Sequence, residues 1–210
     1  MIKKDKMEAL YKKYYIDRNF EREEIFTALK AKYAIESVLY PGSFAHITPS
    51  FIFPKTTYID SDKGALSFFE EMEFVNEMAI NRKKYQEDTT IQFFGQNYNS
   101  PLPLAKESFD LLISHYGGII SQPCKKYLKI GGLLLVNNSH ADAGVAYLDD
   151  NFTLIATINC DRKNKISEEN LSSYFIPKKK QNITITSLIN SQKGIGYTTT
   201  ADLYIFRKIR

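Results

Sequence analysis

Cysteine is nearly absent: Cys124 and Cys160 are the only two in 210 residues, and they form no metal-type pair. A disulfide framework is thereby excluded, and a reduced, cytoplasmic setting is expected. Long apolar runs are missing too. None approaches the roughly 20 residues that span a bilayer, and the lysine-bearing start has no apolar signal core, so no membrane association is expected. Charge of one sign is also in short supply, since 28 basic against 24 acidic residues leave only +4. The basic clusters at 82–84 and 178–180 read as solvated surface, and nothing calls for a nucleic-acid partner. Internal repeats and low-complexity segments do not occur. Nor does any G-x-G-x-x-G, P-loop, G-x-S-x-G or H-E-x-x-H motif, which removes the enzyme classes built on them.

What remains is an ordinary folded composition, 43% hydrophobic and 25% charged, with enough chain for a substantial core. Residues 3–33 predict two helices, from Met7, Leu10, Tyr11, Tyr14 and Tyr15, then Phe20, Ile25, Leu29 and Tyr33. Strands are predicted over 37–40, 56–60, 90–94, 109–114, 133–136 and 152–158, with helices over 63–85, 119–130 and 142–148. The strands at 109–114 and 133–136 are apolar nearly throughout, as in parallel sheets covered on both faces. Gly131-Gly132 reads as a glycine stop for the 119–130 helix. Residues 161–180 read as charged and irregular with a short helix near 167–174, and 182–188 and 203–208 read as β-rich. The expected architecture is a doubly wound α/β domain over 35–210. It has a mostly parallel seven-stranded sheet with an antiparallel last strand, and a helical N-terminal cap over 1–34 precedes it.

The chain is organised around residues 37–62, SVLYPGSFAHITPSFIFPKTTYIDSD. One apolar run stops at Pro41-Gly42, and a second ends in Asp60-Ser61-Asp62. Between them Thr48 as N-cap and Pro49 at the first helical position predict a single helical turn. Strand, tight turn, helix and a strand ending in a carboxylate make the first half of a nucleotide-binding unit. Backbone N–H groups approach the ligand at the turn, and the carboxylate accepts from ribose hydroxyls.

Through SVLYPGS, TTYIDSD, SFDLLISHYGG, the 129–136 stretch KIGGLLLV and the closing GYTTTADLYIFRK, the chain resembles the class I S-adenosylmethionine-dependent methyltransferases over about 35–210. That resemblance implies S-adenosylmethionine as cofactor and methyl transfer to a small-molecule acceptor. By position it implies Tyr40, Gly42 and Ser43 on the methionine side and Asp60 on the ribose hydroxyls, with Asp62 beside it. It places Gln96 and Asn97 flanking the adenine, and Ser114 with His115 at the floor. The chain also departs from the family. Tyr40 stands where an acidic residue is usual, Phe44 and His46 stand at glycine positions, and Gln96 and Asn97 replace a carboxylate. These departures keep a second reading open, a methyltransferase-fold binding or scaffold module without turnover. The Asn/Asp-Pro-Pro-aromatic signature of amino-methylating nucleic-acid enzymes is replaced by Ser114-His115-Tyr116-Gly117.

Histidine is scarce as well, with only His46, His115 and His140. On the expected topology all three follow strands on one rim of the sheet. One reading makes His115 or His140 a general base toward a hydroxyl or amine. Another groups them with Asp142 around a metal, but the spacing matches no metal motif and no metal is assigned. The third is polar loop residues without chemistry. Methyl transfer from a sulfonium needs positioning more than covalent help. Asn137-Asn138-Ser139-His140 and Tyr116 are the expected substrate wall.

Overall fold

The computed structural model describes residues 3–160, 165–180 and 182–210. The chain divides into two compact units, the first ending at Ser100 and the second beginning at Pro101.

In the first unit, α1 (Lys3–Tyr11) buries Met7 and Tyr11 and runs into a π-helical turn, Lys12–Ile16, that buries Tyr15. α2 (Glu23–Lys32) carries Glu23 and Glu24 in its first turn and Lys30 and Lys32 in its last, the charge order that suits a helix dipole. Its Ile25, Phe26 and Leu29 are buried. Then come β1 (Ser37–Pro41), α3 (Pro49–Ile52), β2 (Lys55–Ile59), α4 (Lys63–Phe69), α5 (Met72–Arg82) and β3 (Thr90–Phe94). The strands lie in the order β3-β2-β1, all parallel. Pro49 opens α3 as expected, but Thr48 makes no side-chain cap. Its hydroxyl instead lies 2.7 Å from that of Tyr11. The expected 63–85 helix is two helices, because Glu71 leaves helical backbone at φ −92°, ψ 52°. At the end of α5, Arg82 bonds Glu21 at 2.7 Å and Glu23 at 3.1 Å and covers the Phe51 ring at 4.2 Å. That one guanidinium ties α5 to α3 and to the start of α2.

The second unit contains β4 (Phe109–Ser114), α6 (Ser121–Cys124), β5 (Leu128–Val136), α7 (Asp142–Leu148), β6 (Phe152–Asn159), β7 (Lys165–Ser167), α8 (Ile185–Ser191) and β8 (Leu203–Lys208). Its order is β4-β5-β8-β6-β7. β4 and β5 are parallel, β8 runs antiparallel to both β5 and β6, and β7 runs antiparallel to β6. The antiparallel last strand is present as expected. Eight strands stand among the described residues where seven were expected. The additional one, β7, falls in a stretch read as irregular; 161–164 and 181 of that region lie outside the described residues.

Two further expectations are corrected. The 119–130 helix is only α6 followed by a 3₁₀ turn, Lys125–Tyr127. Gly131-Gly132 is no helix stop but lies inside β5, where the register with β4 jumps from Phe109↔Leu128 to Leu111↔Leu133. Gly131, at φ 84°, makes that bulge possible. Residues 182–188 alternate like a strand, yet Ile185–Ser191 is helical. Thr184 and Ser187 cap it reciprocally, and Leu188 packs on Ala141 and Val145. Both cysteines are free thiols, and burial pushes Cys124 up to about 12, which leaves it inert. Among the described residues no helix is long and apolar enough to cross a membrane.

Candidate functional site

In the first unit the tight turn follows β1. Gly42, at φ 65°, donates to the Ile59 carbonyl at 2.8 Å and so closes the turn onto β2. Asp60, just past β2, accepts from the Phe44 N–H at 2.7 Å and from the Asp62 N–H at 2.8 Å. Tyr40, Gly42, Ser43, Asp60 and Asp62 therefore gather at one loop pair. Asp62 is the N-cap of α4, accepting from Gly64 N at 2.7 Å. Ser43 is buried, and its hydroxyl turns back to the Phe44 carbonyl. Gln96 and Asn97 follow β3; Gln96 N–H closes onto Phe94 O, and the Asn97 side chain accepts from Asn99 N.

Phe44 is the departure with structural weight. Its backbone sits at φ 50°, a strained region for a bulky residue. Its ring takes the room that Gly64 leaves, 2.7 Å from where a Cβ would stand, and meets Tyr14 edge-on at 5.2 Å.

His46 is not on the rim. It is 1% exposed, stacked on Tyr15 at 4.6 Å, with Phe26 and Tyr40 around it. Its Nε2–H donates to the Glu21 carbonyl at 2.9 Å, so Nδ1 accepts from the Tyr40 hydroxyl at 3.1 Å. Burial holds this imidazole at about 3, well below its ordinary 6.5. It serves the core. The unfolded chain therefore takes up the proton first. The neutral ring's contribution is complete above pH 6.5 and is lost as pH falls toward 3. The slope is up to about 1.4 kcal/mol per pH unit. Urea midpoints of wild type and His46→Gln between pH 7 and 4 should converge as pH falls; parallel curves would contradict this.

In the second unit, polar side chains gather in the loops after β4 and β5. Asp142, at the start of α7, is 1% exposed. It accepts from the hydroxyls of Ser114 (2.6 Å) and Ser121 and from the N–H groups of Ile120 (3.1 Å) and Ser121 (3.1 Å). Burial pushes its carboxyl up while these donors pull it back. Ser114, expected at the cofactor, is thus committed to Asp142. Asp142, considered as a metal ligand, is committed to holding two loops. No metal-holding group of His, Cys, Asp or Glu occurs among the described residues. His115 is buried at 3% exposure, and Tyr116 beside it is half exposed with φ 59°.

After β5 a side-chain chain of three residues forms. The Asn137 amide oxygen accepts from Ser139 N (3.4 Å) and Ser139 Oγ (2.9 Å), and Ser139 Oγ lies 3.0 Å from His140 Nδ1. An amide oxygen can only accept, so the serine proton points at Asn137 and its oxygen must accept from His140 Nδ1–H. In the neutral ring that arrangement puts the proton on Nδ1 and the acceptor position on Nε2. His140 is half exposed. Sequence inspection named this segment but could not show the relay, which depends on three rotamers. Asn138 accepts from Gly144 N at 3.1 Å, and its carbonyl lies 2.7 Å from where a Cβ on Gly194 would stand.

No protein-family model and no curated protein matches the sequence. Solved structures do. A methyltransferase from Geobacter sulfurreducens is 11% identical over 72% of this chain and 82% of its own, with TM-score 0.47. A SAM-dependent methyltransferase from Methanosarcina mazei is 14% identical over 86% and 96%, with TM-score 0.43. The MccD protein is 15% identical over 88% and 96%, with TM-score 0.44. The sheet itself is a Rossmann-like α/β arrangement, with mostly parallel strands and antiparallel strands toward the C-terminal end.

Of the first unit's residues, Asp60 keeps acceptor capacity of the kind a ribose diol needs. A carboxylate offers about four lone-pair sites, and Asp60, half-buried, gives one on each oxygen to the chain itself. The others can accept from ribose hydroxyls.

Proposed function

We propose that the chain is an S-adenosylmethionine-dependent methyltransferase acting on a small-molecule acceptor, with His140 as general base. The observation that supports this reading is the His140–Ser139–Asn137 relay, which holds the imidazole by its Nδ1 side on a half-exposed loop. In the first unit Asp60 holds the ribose hydroxyls, Tyr40, Gly42 and Ser43 form the turn facing the methionine part, and Gln96 and Asn97 flank the adenine. Ser114 acts through Asp142, positioning the loop that bears His115. Residues 1–34 serve as a helical cap. When bound, the cofactor supplies an activated methyl group. His140 then takes the proton that the acceptor hydroxyl or amine gives up, and the surrounding side chains orient the acceptor and exclude water.

The test is calorimetric titration with S-adenosylmethionine and S-adenosylhomocysteine. Saturable micromolar binding supports the reading; none up to millimolar sinks it. With an acceptor found by radiolabelled methyl transfer, His140→Ala should lower kcat by about a hundredfold, the modest end for a general base. An unchanged kcat would remove His140 from the chemistry. The strained Phe44, packed into the space beside Gly64, favours a second reading, a binding module without turnover. That reading takes over if neither cofactor form binds.

A further inference from the structure

Asn137 directly follows β5 and is 6% exposed. Its side-chain oxygen is identified chemically, since Ser139 N–H can only donate to it. The other terminal atom is therefore Nδ2, with two N–H donors, and it has no hydrogen-bond partner among the described residues. Buried donors are normally paired, and an exception asks for an explanation. The backbone beside it is fixed: Asn137 N–H donates to the Ser114 carbonyl at 3.2 Å. Of the residues that follow, Ser139 is exposed and His140 half exposed.

Resting on the methyltransferase reading, we infer that the Asn137 amide determines acceptor specificity by donating to a carboxylate or carbonyl oxygen of the substrate. An –NH₂ group offers donors only, so its partner must bring lone pairs, and an ammonium is rejected. The two N–H groups diverge, so each takes a lone pair from a different oxygen. The relay makes Asn137 and His140 one connected piece through Ser139. An acceptor gripped at Asn137 is therefore also held at a set position relative to the His140 ring. The substrate class that satisfies both is a hydroxyl compound with a carboxylate or carbonyl close to that hydroxyl. Leaving the amide unpaired without substrate costs stability, and recovering that cost on binding favours the oxygen-bearing ligand over isosteres that lack it.

The experiment follows the Asn137 side-chain amide in ¹⁵N-labelled full-length protein saturated with S-adenosylhomocysteine, the resonance being assigned on the wild type. Salicylate, benzoate and benzylamine are titrated separately. The expected result is a shift of the Asn137 –NH₂ pair with salicylate and benzoate and none with benzylamine. Asn137→Asp, which turns a carboxylate toward the ligand's own oxygen, should weaken salicylate binding about tenfold to a hundredfold. An amide that stays still with both carboxylates, or that responds to benzylamine alone, overturns the inference. The wild-type titration decides even if the variant fails to fold. Failure of S-adenosylhomocysteine to bind would count against the methyltransferase reading itself; its binding with a silent Asn137 amide would count only against this inference.

Discussion

An Asp142→Ala variant is expected to lose roughly 3–5 kcal/mol of stability, the range seen when a buried charged group loses its partners. The carboxylate is the common acceptor for the Ser114 and Ser121 hydroxyls and for the Ile120 and Ser121 N–H groups. Alanine leaves all four donors facing an apolar hole. Each buried unmet donor costs roughly 1–3 kcal/mol, and partial relaxation brings the total below the simple sum. Asp142→Asn should fall between, because its amide nitrogen would face backbone donors. Urea unfolding with an unchanged m-value measures this directly. A loss under about 1 kcal/mol would mean that water replaces the carboxylate at little cost, contrary to the packing.

Asp60→Ala should weaken S-adenosylhomocysteine binding by roughly 10²–10³-fold. Two effects add. The ribose loses its charged acceptor, and hydrogen bonds to a charged group contribute roughly 1.5–3 kcal/mol each. The turn also loses the clamp that holds Phe44 and Asp62 by their N–H groups. Asp60 is half-buried in a loop, so the variant is expected to fold. Asp60→Asn should keep one of the two backbone contacts and bind with intermediate strength. An unchanged dissociation constant in Asp60→Ala would remove this residue from the site. It would also turn attention to Phe44 as a plug rather than a lining.

The parts of the fold that were legible in the sequence are those where burial runs along one element. β3, β4, α7 and β8 have the bounds expected, since strands such as Phe109–Ser114 announce themselves by continuous apolar character. Residues 182–188 misled because Ile-Thr-Ile-Thr alternates with period two. A capping pair at Thr184 and Ser187, with Leu188 seated on Ala141 and Val145, outweighs that local preference. Gly131-Gly132 misled because a glycine pair marks a helix end or a strand bulge equally well. At the candidate site, the turn residues around Gly42 and Asp60 could be named from their order alone. His46 could not be placed, because the rings that enclose it come from Tyr15, Phe26 and Tyr40, on three different elements. The relay at His140 depends on rotamers, and no spacing rule reports those.

Asn138 is met on two sides by residues without side chains. Gly144 donates its N–H to the amide oxygen, and Gly194 approaches the carbonyl so closely that even a methyl group would collide. The segment between β7 and β8 thus passes the loop after β5 closely at Gly194, while Leu188 of α8 packs against Ala141 and Val145. A side chain at Gly194 would have to displace either this segment or the Asn138 carbonyl, whereas the sheet that carries the loop would be left as it is.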